Sequence, residues 1–227
     1  MNASPGRRPR RASGSGADRA APRVRQIYNR MAPRYDRVMD VVDRLVFPGG
    51  RDWVCQRARG ATLEVAVGTG RNLGRYPEGV TLEAIDASPA MLEQARRRAA
   101  TLGVRVALRE GDAERMDLPD ASFDTVVATL ALCTVPDDAA AVAEMVRVLR
   151  PGGGLLLLEH TASPNPWVEA LQALVEPLGV TFAGDHQLRR PDALVRTAGL
   201  VVEEIERSRG GIVLRLAARK PVRKSAR

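Results

Sequence analysis

Thr62-Leu63-Glu64-Val65-Ala66-Val67-Gly68-Thr69-Gly70-Arg71-Asn72-Leu73-Gly74 decides how the rest of the chain is read. Its first six residues are mostly apolar or β-branched, as in a buried strand. The run then breaks at Gly68-Thr69-Gly70, and a helix is expected to start near Asn72 and reach Tyr76. A strand that feeds a glycine turn and then a helix is the phosphate- and nucleotide-side cradle of a doubly wound sheet. Gly68 and Gly70 suit such a turn because a Cβ would keep a ligand off the backbone. Glu64 lies four residues ahead of the turn, within reach of the mouth of a pocket. Gly68-x-Gly70 lacks the third glycine of the dinucleotide fingerprint at its usual place, although Gly74 follows at once.

Working outward, Thr81 to Asp86 reads as a second strand that ends in an acid. In a doubly wound sheet this puts the Asp86 carboxylate at the tip of the neighbouring strand, placed for a ribose. Ser88 and Pro89 then open a helix, as N-cap and first helical residue. Val104 to Glu110 alternates as a third strand and ends in Gly111-Asp112-Ala113. Thr125 to Leu130 is a continuous apolar run, expected as a central strand buried on both faces. Asp137 to Leu149 carries Ala141, Val142, Met145, Val148 and Leu149 on one helical face. Arg150-Pro151-Gly152-Gly153 stops that helix, and Gly154 to Glu159 is a fifth strand. A helix over Pro191 to Ala198, closed by Gly199, precedes strands over Leu200 to Glu206 and Gly211 to Ala218.

Ahead of the glycine turn, Val24 to Val46 is amphipathic, with a boundary expected at Ala32-Pro33 because a residue before proline avoids the helical region. A further helix is expected over Gly50 to Arg59, with Trp53 on its buried side.

Several of these motifs resemble the class I S-adenosylmethionine (SAM) methyltransferases. They are Glu64-Val65-Ala66-Val67-Gly68-Thr69-Gly70, then Asp86-Ala87-Ser88-Pro89-Ala90-Met91-Leu92, Gly111-Asp112-Ala113, Phe123-Asp124 and Leu149-Arg150-Pro151-Gly152-Gly153. The resemblance covers roughly residues 60–160. Ala66 stands where the family's first motif carries a glycine. The resemblance implies an α/β Rossmann-like sheet of seven strands in the order 3-2-1-4-5-7-6, the last antiparallel, with helices on both faces. It also implies S-adenosyl-L-methionine as cofactor. Residues carried over to its binding are Glu64, Ala66, Gly68, Gly70 and Asn72 of the first motif, with Asp86 on the ribose and Ala87 and Met91 beside it. Asp112 and Ala113 face the adenine, while Thr129 and Leu130 border the methionine end. For Asp112 a helix N-cap is the rival role, and for Met91 simple packing. The segment Ile27 to Asp36 resembles the family's N-terminal cap, in which Tyr28 and Tyr35 either face the sulfonium or only pack the cap.

His160 and His186 are the chain's two histidines. Each is a candidate base or substrate contact, since a neutral imidazole can take an acceptor's proton; each is equally a candidate for a structural hydrogen bond. Leu158-Glu159-His160 and the later His186-Gln187-Leu188-Arg189 segment are similar to quinone C-methyltransferases, phosphatidylethanolamine N-methyltransferases and thiol S-methyltransferases. Between them, residues 161–190 form an insertion with Trp167, Leu171, Leu174, Val175, Leu178 and Phe182. It reads either as an apolar lid favouring a hydrophobic, quinone-, lipid- or natural-product-like acceptor, or as a helix packed on the sheet. A nucleic-acid methyltransferase and a non-catalytic SAM-binding module are the alternatives; the first lacks any base-flipping motif.

The charge balance agrees with a small-molecule enzyme. The net charge is +8, yet residues 1–25 hold seven arginines against Asp18, and residues 219–227 hold five cations. The two tails together exceed the whole, so the body between them is net acidic, and no nucleic-acid partner is expected. The expected organisation is a disordered basic tail (1–22), a helical cap (23–59), a SAM-binding domain (60–219) and a basic tail (220–227). Peripheral membrane contact is assigned to the tails if anywhere; the other reading is that they only aid solubility. Cys55 and Cys133 show no metal-ligand spacing, so two reduced thiols, no metal and a cytoplasmic protein are expected, with Cys133 lining the pocket. No apolar run approaches the roughly 18 residues of a membrane span.

Overall fold

The computed structural model describes residues 16–222. The expected basic stretches over 1–15 and 223–227 lie outside the described residues. Seven strands form one sheet in the order β3-β2-β1-β4-β5-β7-β6. They are β1 (Ala61–Val65), β2 (Thr81–Asp86), β3 (Val106–Glu110), β4 (Phe123–Thr129), β5 (Leu149–His160), β6 (Val201–Ser208) and β7 (Val213–Arg219). Strands β3 to β5 run parallel through β1 and β2, and β7 is antiparallel to both β5 and β6. This is the α/β Rossmann-like sheet expected.

Alternation builds the core. Successive strand residues point to opposite faces, so apolar residues at both phases bury a strand on both sides. Leu63, Val65, Val126, Ala128, Leu155 and Leu157 pack on one face with α4 (Asp138–Val148) and α6 (Pro191–Thr197). Val127, Leu156 and Leu158 pack on the other with Phe47 and the α2 (Gly50–Cys55) residues Val54 and Cys55. Further along that sheet, Leu82 and Ala84 meet Leu92, Ala95 and Ala99 of α3 (Pro89–Leu102). Ser88 Oγ accepts from Met91 N at 3.2 Å and caps α3, a contact typically worth about 1 kcal/mol.

Several local expectations are corrected. Residues 16–45 form one helix, α1 (Gly16–Leu45), with Pro22 and Pro33 inside it. An interior proline costs about 3 kcal/mol of helix stability, so packing must override it. The inward face of α1 carries Tyr28, Ala32, Tyr35 and Met39, at helical spacing, and α1 rests on α3 and on α5 (Pro166–Ala183). The helix also begins within the segment expected to be tail.

No helix follows the glycine turn. The chain instead makes successive tight turns, with Gly70 N donating to Val67 O, Leu73 N to Gly70 O and Arg75 N to Asn72 O. Gly68 and Gly70 are left-handed, at φ 57° and 78°, which interrupts any helix at its start. A Cβ on Gly70 would sit 2.7 Å from Leu73 Cδ1 and 3.2 Å from the Ala95 backbone.

Helix α2 stops at Cys55, and Trp53 is only half-buried, with its Nε1 donating to Glu206 Oε1 at 3.1 Å. Among the described residues no helix is long and apolar enough to cross a membrane.

Candidate functional site

The carboxyl edge of the sheet opens into a cavity of roughly 380 Å³. Its wall is built from the ends of four neighbouring strands, with the first half of α1 laid across the mouth. Glu64 comes from β1, Ala66 and Gly68 from the turn after it, and Asp86, Ala87 and Met91 from β2 and the start of α3. Asp112 and Ala113 follow β3, and Thr129 and Leu130 end β4. Tyr28 and Tyr35 reach in from α1, their rings edge to face at 6.2 Å. Twelve of the fourteen residues expected around a cofactor thus line one cavity, and Gly70 and Asn72 stand just behind it.

Asp86 is the best-anchored acid at the wall. Its Oδ2 accepts from Gly68 N and its Oδ1 from Ser88 N, both at 2.8 Å. Burial raises its pKa, opposed by those two backbone donors. Each oxygen keeps a lone pair for a ligand.

Glu64 is deeper. Its Oε1 accepts from Asn72 Nδ2 at 2.9 Å and its Oε2 from Tyr76 Oη at 2.8 Å. Burial pushes its pKa up to about 7, against the pull of Tyr76, Arg51 and Asn72. Asn72 Nδ2 also donates to Thr129 Oγ1 at 2.9 Å, and Arg51 donates to Asn72 Oδ1 at 3.2 Å. So Asn72 joins β1, β4 and α2 behind the wall instead of starting a helix.

Two wall residues have left-handed backbone without being glycine: Ala66 at φ 56° and Leu130 at φ 54°. Ala66 holds the very place where the resemblance expects glycine. Gly68, by contrast, faces open space on the side where a Cβ would lie. The cradle is therefore shaped for a ligand to approach the backbone there.

Asp112 Oδ1 accepts from Glu114 N at 2.9 Å, closing a turn, and no helix starts at this point. Its N-cap role is thereby ruled out. Met91 is buried and also borders the cavity, so packing and lining coincide.

Neither His160 nor His186 is among the residues that line this cavity. His160 ends β5 with its ring against Phe47 at 4.9 Å, and its Nδ1 lies 3.7 Å from Asp185 Oδ1. His186 Nδ1 is 3.6 Å from Glu176 Oε1, and its backbone N donates to Cys133 O at 2.7 Å. Cys133 is buried beside them.

An ionic clamp at the mouth was missed by the sequence reading. Asp36, Asp40 and Asp43 recur at helical spacing along α1. Arg71 Nη2 bonds Asp40 at 2.8 Å and Arg71 Nε bonds Asp43 at 2.9 Å. Arg51 meets Asp43 at 2.7 Å, while Asp36 accepts from Thr69 Oγ1 and Arg98 Nη2, both at 2.6 Å. Spacings of four and three place the acids on one helix face, a signal present in the sequence; their partners lie 8 to 62 residues away in it.

The set of donors fits S-adenosyl-L-methionine. An acid at the β2 tip suits ribose hydroxyls, an open glycine suits the backbone-borne end, and a buried carboxylate with facing tyrosines suits a cationic sulfonium.

Comparison with known proteins agrees. The family described as methyltransferase domain matches residues 63–157. Phosphatidylethanolamine N-methyltransferase of Cereibacter sphaeroides is 36% identical over 157 residues, spanning 67% of this chain and 76% of that protein. Ubiquinone/menaquinone biosynthesis C-methyltransferase UbiE of Dinoroseobacter shibae is 32% identical over 205 residues, 78% of this chain and 82% of its own. In fold, a SAM-dependent methyltransferase of Thermotoga maritima superposes with a TM-score of 0.66 at 24% identity, covering 86% of this chain and 99% of that one. With its sheet order, its cavity at the carboxyl edge and these relatives, the chain belongs to the class I SAM-dependent methyltransferases, enzymes that use S-adenosyl-L-methionine.

Proposed function

We propose that this methyltransferase acts on a small hydrophobic acceptor of quinone, lipid or natural-product type, met at a lipid surface. The observation that carries the proposal is α5, which is apolar on its outside. Trp167, Leu171, Leu174, Leu178 and Phe182 recur at helical spacing and are all exposed, Trp167 at 84% and Leu174 at 75%. The polar residues face inward: Gln172 Nε2 donates to Thr161 O, Gln172 Oε1 accepts from Ser163 N, and Glu176 accepts from Gln187 N. An exposed stripe of this size marks an interaction surface. The alternative of a helix packed through these residues on the sheet does not fit their exposure.

Helix α1 adds charge. Its outer face carries Arg30, Arg34, Arg37 and Arg44 with the exposed apolar residues Val38, Val41 and Leu45. Arginines interleaved with aliphatic residues suit an anionic lipid interface. On this reading α1, which lies across the cavity mouth, and α5, which packs on it, have a membrane contact of their own beside the one expected of the tails. Relatives named for phosphatidylethanolamine and for ubiquinone/menaquinone support an acceptor of this class.

Within the site we assign Asp86 to the ribose, Asp112 and the Ala113 amide to the adenine, Gly68 and Glu64 to the methionine end, and Tyr28 and Tyr35 to the sulfonium side. When bound, SAM supplies an electrophilic methyl group. The protein's task is to hold the acceptor atom in line with that methyl and exclude water, which can supply much of the rate. The test is transfer of labelled methyl from SAM to fractionated lipid and quinone extract. Label in the organic-extractable fraction is expected; label confined to water-soluble or nucleic-acid fractions would overturn the proposal.

A further inference from the structure

Behind the cavity, three chain segments bring Cys133, His160 and Asp185 together. Their Sγ, Nδ1 and carboxylate oxygen all lie within 4.8 Å of one another. Cys133 follows β4, His160 ends β5 and Asp185 follows α5, so no local sequence spacing announces the cluster.

The His160–Asp185 pair lies at ion-pair distance, too long for a hydrogen bond and within the spacing of two ligands of one ion. His160 Nδ1 and Asp185 Oδ1 are 3.7 Å apart, and both are buried atoms without a hydrogen-bond partner. Two ligands of one tetrahedral zinc ion, at 2.0–2.3 Å from it, stand roughly 3.3–3.8 Å apart. Buried polar atoms are almost always satisfied, so two orphans facing each other at the spacing of a shared ion need an explanation. Glu159 Oε2, next in the chain to His160, is also buried and unpartnered. The cluster thus holds a thiol and two carboxylates against one imidazole.

The surroundings hold this arrangement in place. His186 N donates to Cys133 O at 2.7 Å, fixing Asp185 against the β4 end. Arg189 is committed to the carbonyls of Leu132, Val135 and Pro136, so its guanidinium serves the loop backbone. The donors are thereby preorganised from the backbone outward.

We propose that Cys133, His160 and Asp185 form a binding site for one zinc-type divalent cation. A thiolate, a neutral imidazole and a carboxylate are the donor set such an ion takes, and three protein ligands leave a fourth position open. Binding releases the thiol proton to solvent. The ion ties the segment after α5 to the ends of β4 and β5, beside the cavity wall. The proposal is independent of which acceptor is methylated.

Cobalt(II) titration of the purified full chain, stripped of metal by chelator, tests this. One equivalent is expected to give a thiolate-to-cobalt charge-transfer band and the strong visible bands of a tetrahedral ion. Zinc(II) should displace the cobalt and raise the melting temperature. Cys55→Ser, at the other buried thiol, keeps the bands; Cys133→Ser loses them; Asp185→Asn weakens cobalt binding by more than about tenfold. Where Cys133→Ser fails to fold, Asp185→Asn decides. Absence of the charge-transfer band in folded wild-type protein, or its survival in Cys133→Ser or at full affinity in Asp185→Asn, overturns the site. Methyl transfer is not the readout, so failure here is separate from failure of the acceptor assignment.

Discussion

Asp86 Oδ2 accepts a hydrogen bond from Gly68 N at 2.8 Å, so the acid at the β2 tip and the glycine turn after β1 are one unit. The same carboxylate holds Ser88 N at the start of α3. The residue assigned to the ribose therefore also sets the shape of the turn beneath it.

Asp86→Ala should abolish measurable uptake of SAM and of its demethylated product in calorimetry. Hydrogen bonds to charged groups contribute about 1.5–3 kcal/mol each. Loss of two such bonds to ribose hydroxyls predicts at least about a hundredfold weaker binding. Unchanged affinity would remove Asp86 from the site.

Ala66→Gly should stabilise the protein. Alanine at φ 56° carries a left-handed penalty of roughly 1–2 kcal/mol, offset by the greater unfolded-state entropy of glycine. A net gain of about 0.5–1 kcal/mol is expected in denaturant unfolding, with SAM affinity preserved. A loss of stability would show that the Ala66 methyl makes a packing contact worth more than the strain.

Glu64 should make the ligand-free fold pH-dependent. Its folded pKa, about 7, is raised above its ordinary value near 4.5 by burial. The folded state therefore binds the proton more tightly than the unfolded state does. Its contribution to stability is complete below the ordinary value and is lost as pH rises through about 7. Melting temperatures of Glu64→Gln followed over this window should fall less with pH than those of the wild type. Equal slopes would mean that Glu64 ionises normally in the fold. SAM, whose sulfonium is cationic, should favour the carboxylate and bind more tightly above pH 7 in the wild type.

Arg71→Ala should loosen α1 from the turn. Arg71 meets Asp36, Asp40 and Asp43 while mostly buried, so its removal leaves three acids facing one another. Faster proteolysis within α1 and weaker SAM binding are expected together. A protease pattern identical to wild type would place the strength of the cap in its apolar contacts alone.

Leu174→Glu combined with Phe182→Glu should lower cosedimentation with anionic phospholipid vesicles several-fold. Both side chains are exposed, Phe182 at 73%, so the melting temperature should stay within a degree or so of wild type. Vesicle binding that survives both changes would remove α5 from the interface.

The strands were legible in the sequence because they depend on local patterns, whereas their order came from the family resemblance. Val126, Val127 and Ala128 are apolar at both phases, which already demands a strand covered on both faces. Asp86 was legible for the same reason: it ends such a strand. The region around Asn72 was not. A strand followed by a glycine turn is ordinarily followed by a helix, but here left-handed Gly68 and Gly70 break it at its start, and Glu64, Thr129 and Arg51 together hold the Asn72 side chain in the turn. Pro33 failed as a boundary because burial of Tyr28, Ala32, Tyr35 and Met39 outweighs one lost backbone bond. His160 and His186 were visible as rare residues, but their pairing with Asp185 and Glu176 was not.

By itself the sequence determined the strands, the glycine turn and the acid at the β2 tip, because each rests on residues close together in the chain, and the motifs they form carried the family resemblance that implied the sheet order and the cofactor. The tertiary structure alone decided which side of α5 faces out, that Asp36, Asp40 and Asp43 clamp the cap, and that Cys133, His160 and Asp185 share one point. Those relations join separate segments of the chain, or depend on what covers a face; helical spacing shows that the three acids share a face but not what they meet there.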